Sequence, residues 1–428
     1  MSDPSLAATA QGTPRPRMPR AVIALGVVSL LMDLSSEMIH GLLPAFLIGG
    51  LGASALALGL IEGAAEATAL MVKVVSGVLS DRSGKRKPWT LYGYGLAALA
   101  KPLFSFAASA GWIFGARLID RVGKGLRGAP RDALIADLTP PAIRGAAYGM
   151  RQSLDTIGAV AGPLLAMALM VAWHDDVRAV FRVAIVPAAL AVFVLWRFVD
   201  EAPRTDAAAQ ATPKTSGDGD GRTSAGSRWA PLAAMLRRLL PFDTAFDGRF
   251  AGVVALGAAA MLARISEAFL VLRASEGGLS LRYTPLVLVA LNVVYALTAW
   301  PLGRLADRIP RHRLLALGMA VLVAADLALA MAPESAAIWL GIALFGLHLG
   351  MTQGLLAAMV ADAAPATLRG TAFGVFHLVS GAALLLGNGA AGLLWQQLGA
   401  EATFIASAGC AGSVAVAALW SSRTAARP

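Results

Sequence analysis

Asp33, Ser36, Glu37 and His40 stand in the stretch MDLSSEMIH, with AVIALGVVSLL before it and GLLPAFLIGGL after it. At about 100° of turn per residue the four fall within an arc of about 100°, so a helix carries them as one polar stripe. A charge at bilayer depth costs about 2.5–3.5 kcal/mol on insertion scales, so such groups face a wet cavity or a partner. Burial favours the neutral form of a carboxyl, which lets it take up and release protons near neutral pH. The chemistry open to this set is proton exchange, with Asp33 or Glu37 as the coupling carboxylate and His40 as relay or partner. A static ion-pair cluster that holds helices together is the alternative.

A second anomaly is GARLIDRVGKGLRGAPRDALIAD. At the helical period Arg117, Asp120, Arg121, Lys124, Arg127, Arg131 and Asp132 share about 140° of arc, five positive charges against two negative. The GKG segment does not make a phosphate loop, because Leu118 and Gly125 occupy key places of G-x-x-x-x-G-K-[ST]. The planar fork of arginine binds carboxylate or phosphate in two places, so the stripe points to an anion-binding cavity, with Lys124 and Arg127 nearest mid-membrane. A network that neutralises nearby acids is the competing reading. Glu62, Glu66 and Lys73 lie on one face of the second apolar run, and Arg264 and Glu267 lie in the seventh. Arg151 and Asp155, four apart, read as an intrahelical pair. His348 and His377 read as satisfied buried histidines.

These residues need membrane-spanning helices to position them. The chain is 57% hydrophobic and 14% charged with mean hydropathy +0.66, too apolar for a soluble domain. Runs of about 20 residues, enough to cross a bilayer core about 30 Å thick, recur twelve times. They centre on 21–48, 55–80, 88–110, 112–138, 146–173, 179–199, 250–272, 284–306, 314–332, 336–362, 371–395 and 402–420, and few of the loops could hold a separate domain.

The net charge of +10 does not mean nucleic acid, because most Lys and Arg residues fall in one alternate set of loops and tails. That asymmetry is the positive-inside rule and predicts that both termini are cytoplasmic. The expected organisation is a cytoplasmic tail (1–20), a six-helix bundle (21–199), a cytoplasmic linker (200–249), a second six-helix bundle (250–420) and a tail (421–428). Within the linker, PLAAMLRRLL (231–240) could lie in the interface as an amphipathic helix. The first apolar run is too long and too polar for a signal peptide, and the one cysteine, Cys410, precludes an internal disulfide.

The two halves echo each other. GVLSDRSGKR (77–86) recurs as GRLADRIPRH (303–312), and Ala136-Asp137, Pro140, Arg144-Gly145, Ala147 and Gly149 recur 225 residues later. Ser36-Glu37 is matched by Ser266-Glu267, 230 residues on. An internal duplication explains the three matches. At the offset of 225 the positions of Arg117, Asp120, Arg121, Lys124, Arg127 and Arg131 are filled by Ile342, Phe345, Gly346, Leu349, Thr352 and Leu356, so the fold does not itself demand those charges.

On these features the chain resembles the major facilitator superfamily along nearly its full length. GVLSDRSGKRK is similar to the signature between its helices 2 and 3, and GRLADRIPRHR to the weaker second copy, with Pro310 where glycine is usual. Arg117 resembles the helix 4 arginine motif, although charges replace the usual glutamine and glycine. Gly158-Ala159-Val160-Ala161-Gly162-Pro163 resembles the antiporter motif, with Ala166 where glycine is expected, and favours export over import.

The resemblance implies an all-α fold of two pseudo-symmetric six-helix bundles in which helices 1, 4, 7 and 10 line a central cavity. Arg117, Arg121, Lys124, Arg127, Arg264 and Glu267 would contact the solute there, with His348, Thr352 and Gln353 from helix 10. Gating contacts between the halves would involve Gly77, Asp81, Arg82, Asp307 and Arg308 at the cytoplasmic surface, with Arg131 and Arg144 nearby.

The expectation is therefore a proton-coupled secondary transporter of a small anionic or zwitterionic solute, working by alternating access as a monomer in the cytoplasmic (inner) membrane. Its partners are the solute, protons and the lipid bilayer. Cofactors, nucleic acid and a metal site are not expected, since five scattered histidines and one cysteine make no ligand cluster. An enzyme is not expected, because no nucleophile with its base and no metal set appears at helical spacing. Proton-coupled efflux of cationic drugs, drawn by Asp33, Glu37 and Glu66, and a non-transporting receptor or scaffold are the alternatives.

Overall fold

The computed structural model describes residues 17–140, 143–201, 248–306, 309–331, 335–364 and 369–424. The tail before residue 17, the segment 202–247 and the signature residues Asp307 and Arg308 lie outside them, as does the expected amphipathic helix 231–240. Among the described residues every regular element is helical.

In chain order the spans are α1 (Arg20–His40), α2 (Ala55–Ser83), α3 (Lys87–Ser105), α4 (Ala110–Leu138), α5 (Arg144–Ala172) and α6 (Val177–Val183 and Ile185–Phe198). The second set is α7 (Gly248–Ala263 and Glu267–Glu276), α8 (Pro285–Ala306), α9 (Arg311–Ala330) and α10 (Ser335–Ala363). The last run, Arg369–Thr424, is interrupted at Gly399 and divides into α11 (369–398) and α12 (400–424). Gly399 has φ 85° and ψ −178°, a region that a Cβ-bearing residue avoids, and so turns the chain back without a loop.

Polar side chains start several helices. Ser54 accepts from the Ala57 N–H, Ser109 from Trp112 and Asp176 from Ala179, each satisfying a donor that the first turn leaves free. Nine of the described helical stretches are long and apolar enough to cross a membrane on composition alone. Helices α3 and α4 are absent from that set, and α11 with α12 counts once within it, which accounts for the difference from twelve. The α4 charges that lower its hydropathy are turned inward, since Arg117, Asp120, Arg121 and Arg127 are all buried. Large apolar residues such as Leu99, Val186, Trp196 and Leu386 cover the outside, as expected of a protein whose outer surface is solvated by lipid.

The first six helices pack against the last six along two seams. In one, α2 lies against α11, where Gly59 meets the backbone of Asn388 and Gly381 meets Ala67. In the other, α5 lies against α8. At the end of the molecule away from the termini the halves also touch directly. Thr284 Oγ1 donates to the Gly41 carbonyl at 3.0 Å, and Arg282 pairs with Asp175 at 2.6 Å. Phe46, Phe104 and Phe181 pack edge to face beneath this seal.

Candidate functional site

A cavity of about 410 Å³ lies between the halves. Helix α1 supplies Asp33 and Glu37 to its wall, α2 Glu66 and Lys73, α4 Lys124, Arg127 and Arg131, and α7 Glu267. Tyr295 of α8 and Gln353 of α10 complete the side belonging to the second half. The lining runs from mid-helix toward the end that carries the termini, where Asp132 is 38% exposed.

Close backbone approach sets these walls. A Cβ at Gly158 would lie 2.6 Å from the Leu30 carbonyl, and one at Gly162 2.7 Å from the Leu34 carbonyl and 2.9 Å from Glu37 Cβ. Helix α5 therefore touches α1 immediately behind both acids, in the manner of a small-xxx-small seam. On the other side, Gly123 of α4 sits against the Gly93 carbonyl of α3, and Gly125 against the Ala69 carbonyl of α2. The charged face of α4 is held tightly opposite the acids of α1 and α2.

Above the cavity, toward the far end, these charges form a network about Arg117 and, beside it, a second cluster about Lys101. Arg117 grips Glu62 with two bonds, Nη2–Oε2 at 2.6 Å and Nε–Oε1 at 3.1 Å, and both side chains are almost wholly buried. Arg117 Nη1 also reaches His40 Nε2, and Arg121 Nη2 reaches the same nitrogen at 3.3 Å. Guanidinium groups only donate, so Nε2 must accept, which leaves the ring proton on Nδ1. That proton points at Glu37 Oε1, 3.2 Å away. His40 is thus a neutral tautomer with both nitrogens committed, linking Glu37 to the Arg117–Glu62 pair. Arg121 continues the network to Glu66 at 3.2 Å, and Lys101 of α3 bonds Asp120 at 2.8 Å and Ser36 at 2.9 Å.

The groups that line the cavity without such partners divide by sign. Asp33 and Glu267 form no hydrogen bond or ion pair through their carboxylates among the described residues, and Glu37 has only His40. Lys73 and Lys124 likewise have no side-chain partner there, and Lys124 is exposed to the cavity. Arg127 stacks over the Tyr94 ring at 4.7 Å, and its buried Nη1 has no hydrogen-bond partner. Such an unsatisfied buried donor costs about 1–3 kcal/mol unless water or a ligand meets it.

Helix α7 is broken beside this wall at residues 264–266. Two backbone groups freed by the break are held by side chains from other helices. The Ser266 N–H donates to Asn388 Oδ1 of α11 at 2.7 Å, and the Ala263 carbonyl accepts from Ser407 of α12 at 2.8 Å. Ser266 caps the second piece through the Ala268 N–H, which places Glu267 in its first turn, where a negative charge suits the helix dipole.

The model of the Major Facilitator Superfamily matches residues 25–272 and 253–428 of this sequence. The chain belongs to the major facilitator superfamily. It is 28% identical over 393 residues to an uncharacterised MFS-type transporter of Methanocaldococcus jannaschii, covering 90% of each chain. An uncharacterised protein of Mycobacterium tuberculosis is 29% identical over 389 residues, covering 90% of this chain and 89% of the relative. Among solved structures, a POT family transporter in complex with 5-aminolevulinic acid matches with TM-score 0.77 at 14% identity, over 96% of this chain and 97% of that one. A nucleoside transporter matches with TM-score 0.69 at 13% identity over 94% and 99%, and a human organic anion transporter with 0.61 at 19% over 94% and 100%. The likenesses to solved structures establish the fold, and the family match makes the chain a multi-pass membrane protein of the transporter class rather than an enzyme.

Within this MFS transporter the residues singled out in the sequence are distributed unevenly. Asp33, Glu37, Glu66, Lys124, Arg127, Arg131 and Glu267 line the cavity, whereas Arg117, Arg121, Glu62 and His40 stand behind it in the network. Arg264 lies at the break in α7 and outside the cavity lining. Arg131 bonds Ser29, Tyr94 and Asp132, and Arg151 pairs with Asp155 as the spacing predicts. At the termini end, Asp81 pairs with Arg86 at 2.9 Å, and Arg86 also bonds Asp137 at 2.6 Å, so these contacts tie α2, α3 and α4 of one half together. Arg82 is exposed, Gly77 packs on Ala129, and Arg144 donates to the Ala136 and Thr139 carbonyls at the end of α4. His348 is buried and bonded to the Gly318 carbonyl, and His377 stacks on Phe373.

Sequence reasoning missed Lys101, Tyr94, Asn388, Asp326 and Ser407. Lys101 carried a signal, a lone lysine inside LAALAKPLF. The polar residues of α9, α11 and α12 are single and unpatterned, and only the break in α7 gives Asn388 and Ser407 a purpose.

Proposed function

We propose that this MFS transporter is a proton-coupled secondary transporter that binds a small zwitterionic or anionic solute in the central cavity and exports it by alternating access. The observation that carries the reading is the meeting of opposite charges at one cavity, where Asp33 and Glu267 have no partner among the described residues, Glu37 has only His40, and Lys124 and Arg127 stand on the same wall without an ion pair. A solute with a carboxylate would meet Lys124 and the guanidinium of Arg127 at the cavity wall, and an ammonium group on the same molecule would meet the acids.

Asp33 or Glu37 is the coupling group in this reading. Each stands at the cavity wall, against the backbone of α5, so that solvent and solute reach it from one side only. A proton arriving on Glu37 neutralises the charged acceptor of the His40 Nδ1–H and weakens that bond, and the disturbance reaches Arg117 and Arg121 through one imidazole. Proton binding and the helix-packing network are thereby linked, which is what coupling requires.

The loop basicity supports a place in the cytoplasmic membrane with both termini inside. The cavity then reaches toward the cytoplasm, and the Thr284–Gly41 and Arg282–Asp175 contacts close the external side. Opening outward requires those contacts to break and the halves to rock. Functioning as a monomer is part of the same proposal.

The cavity lining holds more carboxylates than cations, which favours cationic drug efflux as the second reading. A thermal-shift screen of purified protein against amino-acid-like zwitterions, organic anions and lipophilic cations separates the two. Stabilisation by zwitterions or anions that is lost in Lys124→Ala supports the first reading. Stabilisation by cations alone overturns it.

A further inference from the structure

Asp326 of α9 has no exposed surface, and no basic side chain pairs with it among the described residues. Its Oδ2 lies 2.6 Å from Ser407 Oγ of α12, and its Oδ1 has no hydrogen-bond partner. Ser407 Oγ lies at the same time 2.8 Å from the carbonyl of Ala263, the last residue before the break in α7.

Hydrogen counting decides the protonation of this triad. A serine hydroxyl has one hydrogen, a carbonyl only accepts, and an ionised carboxylate only accepts. With Asp326 ionised, three oxygens would share one hydrogen, and one of two short contacts would be a bare oxygen–oxygen repulsion. With a proton on Oδ2 both contacts are ordinary: Asp326 donates to Ser407, and Ser407 donates to the Ala263 carbonyl. The neutral form also explains why a carboxyl with a vacant oxygen and no cation beside it is tolerated in the interior.

Among the described residues, none of the charged or titratable groups on the neighbouring helices bonds Asp326. His348 of α10 bonds the Gly318 carbonyl, about two turns along α9. Arg273 of α7 bonds the Leu329 carbonyl, and Arg264 and Glu267 flank the break, neither of them bonded to Asp326. On α12, Glu401 and Cys410 are exposed.

We propose that Asp326 is a proton-binding site of this transporter, occupied in the present conformation, and that its deprotonation releases the hinge of α7. The proton leaves Asp326 Oδ2 for water once the interior opens. The carboxylate then takes the Ser407 O–H, the Ala263 carbonyl loses its donor, and of the two bonds from other helices to the break among the described residues Asn388 keeps one. Because α7 carries Glu267 at the cavity wall, the event is transmitted to the site. This goes beyond the solute-binding reading and does not depend on the solute or on the direction of transport.

The test needs no solute. Infrared difference spectra of purified protein in lipid nanodiscs, recorded across a pH titration, should contain a protonated-carboxyl band that is lost as pH rises and that is missing from Asp326→Asn. The Asn amide can still donate to Ser407, so this variant keeps the local bonding. Should it nevertheless fail to fold, Ser407→Ala is expected to move the same band and its titration midpoint. Hydrogen exchange of the amides at 263–269, corrected for intrinsic pH dependence, should rise about tenfold across the band's titration in the wild type, the effect of one lost hydrogen bond, and stay flat in Asp326→Asn. An Asp326→Asn spectrum that superimposes on the wild type overturns the assignment, as does a Ser407→Ala band that does not move. Exchange that rises equally in both proteins overturns the link to the hinge.

Discussion

The Glu62–Arg117 pair lends itself to a quantitative perturbation. Its two hydrogen bonds, at 2.6 and 3.1 Å, join side chains only 8% and 4% exposed, so neither solvent nor salt screens them appreciably. Removing one partner of such a pair leaves a buried charge uncompensated and costs about 3–5 kcal/mol, whereas replacing both with apolar groups is often close to neutral. Arg117 also donates to His40, but Arg121 keeps a contact with the same nitrogen, so the double variant loses about one further bond, near 1 kcal/mol. Glu62→Met and Arg117→Met are each expected to destabilise by about 3 kcal/mol or more, and the double variant by about 1. Reversible unfolding of the bilayer-reconstituted protein, read as a double-mutant cycle, should therefore give a coupling energy of several kcal/mol. Additive single effects would refute the claim that this pair is the structural anchor behind the cavity.

Three further outcomes follow from the same geometry. Lys124→Ala and Arg127→Ala should each weaken an anionic or zwitterionic ligand by about 10- to 100-fold in isothermal titration, the loss of one charge-assisted hydrogen bond. Arg117→Met should alter stability far more than ligand affinity, since Arg117 does not line the cavity. Gly162→Ala inserts a methyl within 2.7 Å of the Leu34 carbonyl and 2.9 Å of Glu37 Cβ, and should lower stability by about 1–3 kcal/mol while shifting the pH dependence of transport, because it moves α1 at one of the two carboxylates proposed for coupling.

Much of this architecture was legible because hydropathy, charge placement and duplication are long-range patterns that survive without coordinates. Twelve spans, the inward-turned charges of α4 and the Arg151–Asp155 pair follow from composition and helical period. What the period cannot say is which partner crosses from another helix. Seven α4 charges share one arc, yet Arg117 and Arg121 are consumed by Glu62 and Glu66 while Lys124 and Arg127 reach the cavity, a division set by the depth at which α2 crosses α4. The break in α7 was hidden for a related reason. RIS at 264–266 contains no proline or glycine, and the chain leaves the helix there because Asn388 and Ser407, more than a hundred residues away, supply the missing bonds. Asp81 shows the opposite limit, for the duplicated signature marks the surface loop correctly while its partner is Arg86 of the same loop.

Proton-coupled movement through the cavity is tested most directly in proteoliposomes carrying a solute found by the thermal-shift screen, with an imposed pH gradient and solute flux recorded together with proton flux. The wild type should accumulate solute against its gradient with matching proton movement. Asp33→Asn or Glu37→Gln should abolish accumulation while leaving solute exchange at equal pH. Gradient-driven accumulation that survives in both variants would contradict the account.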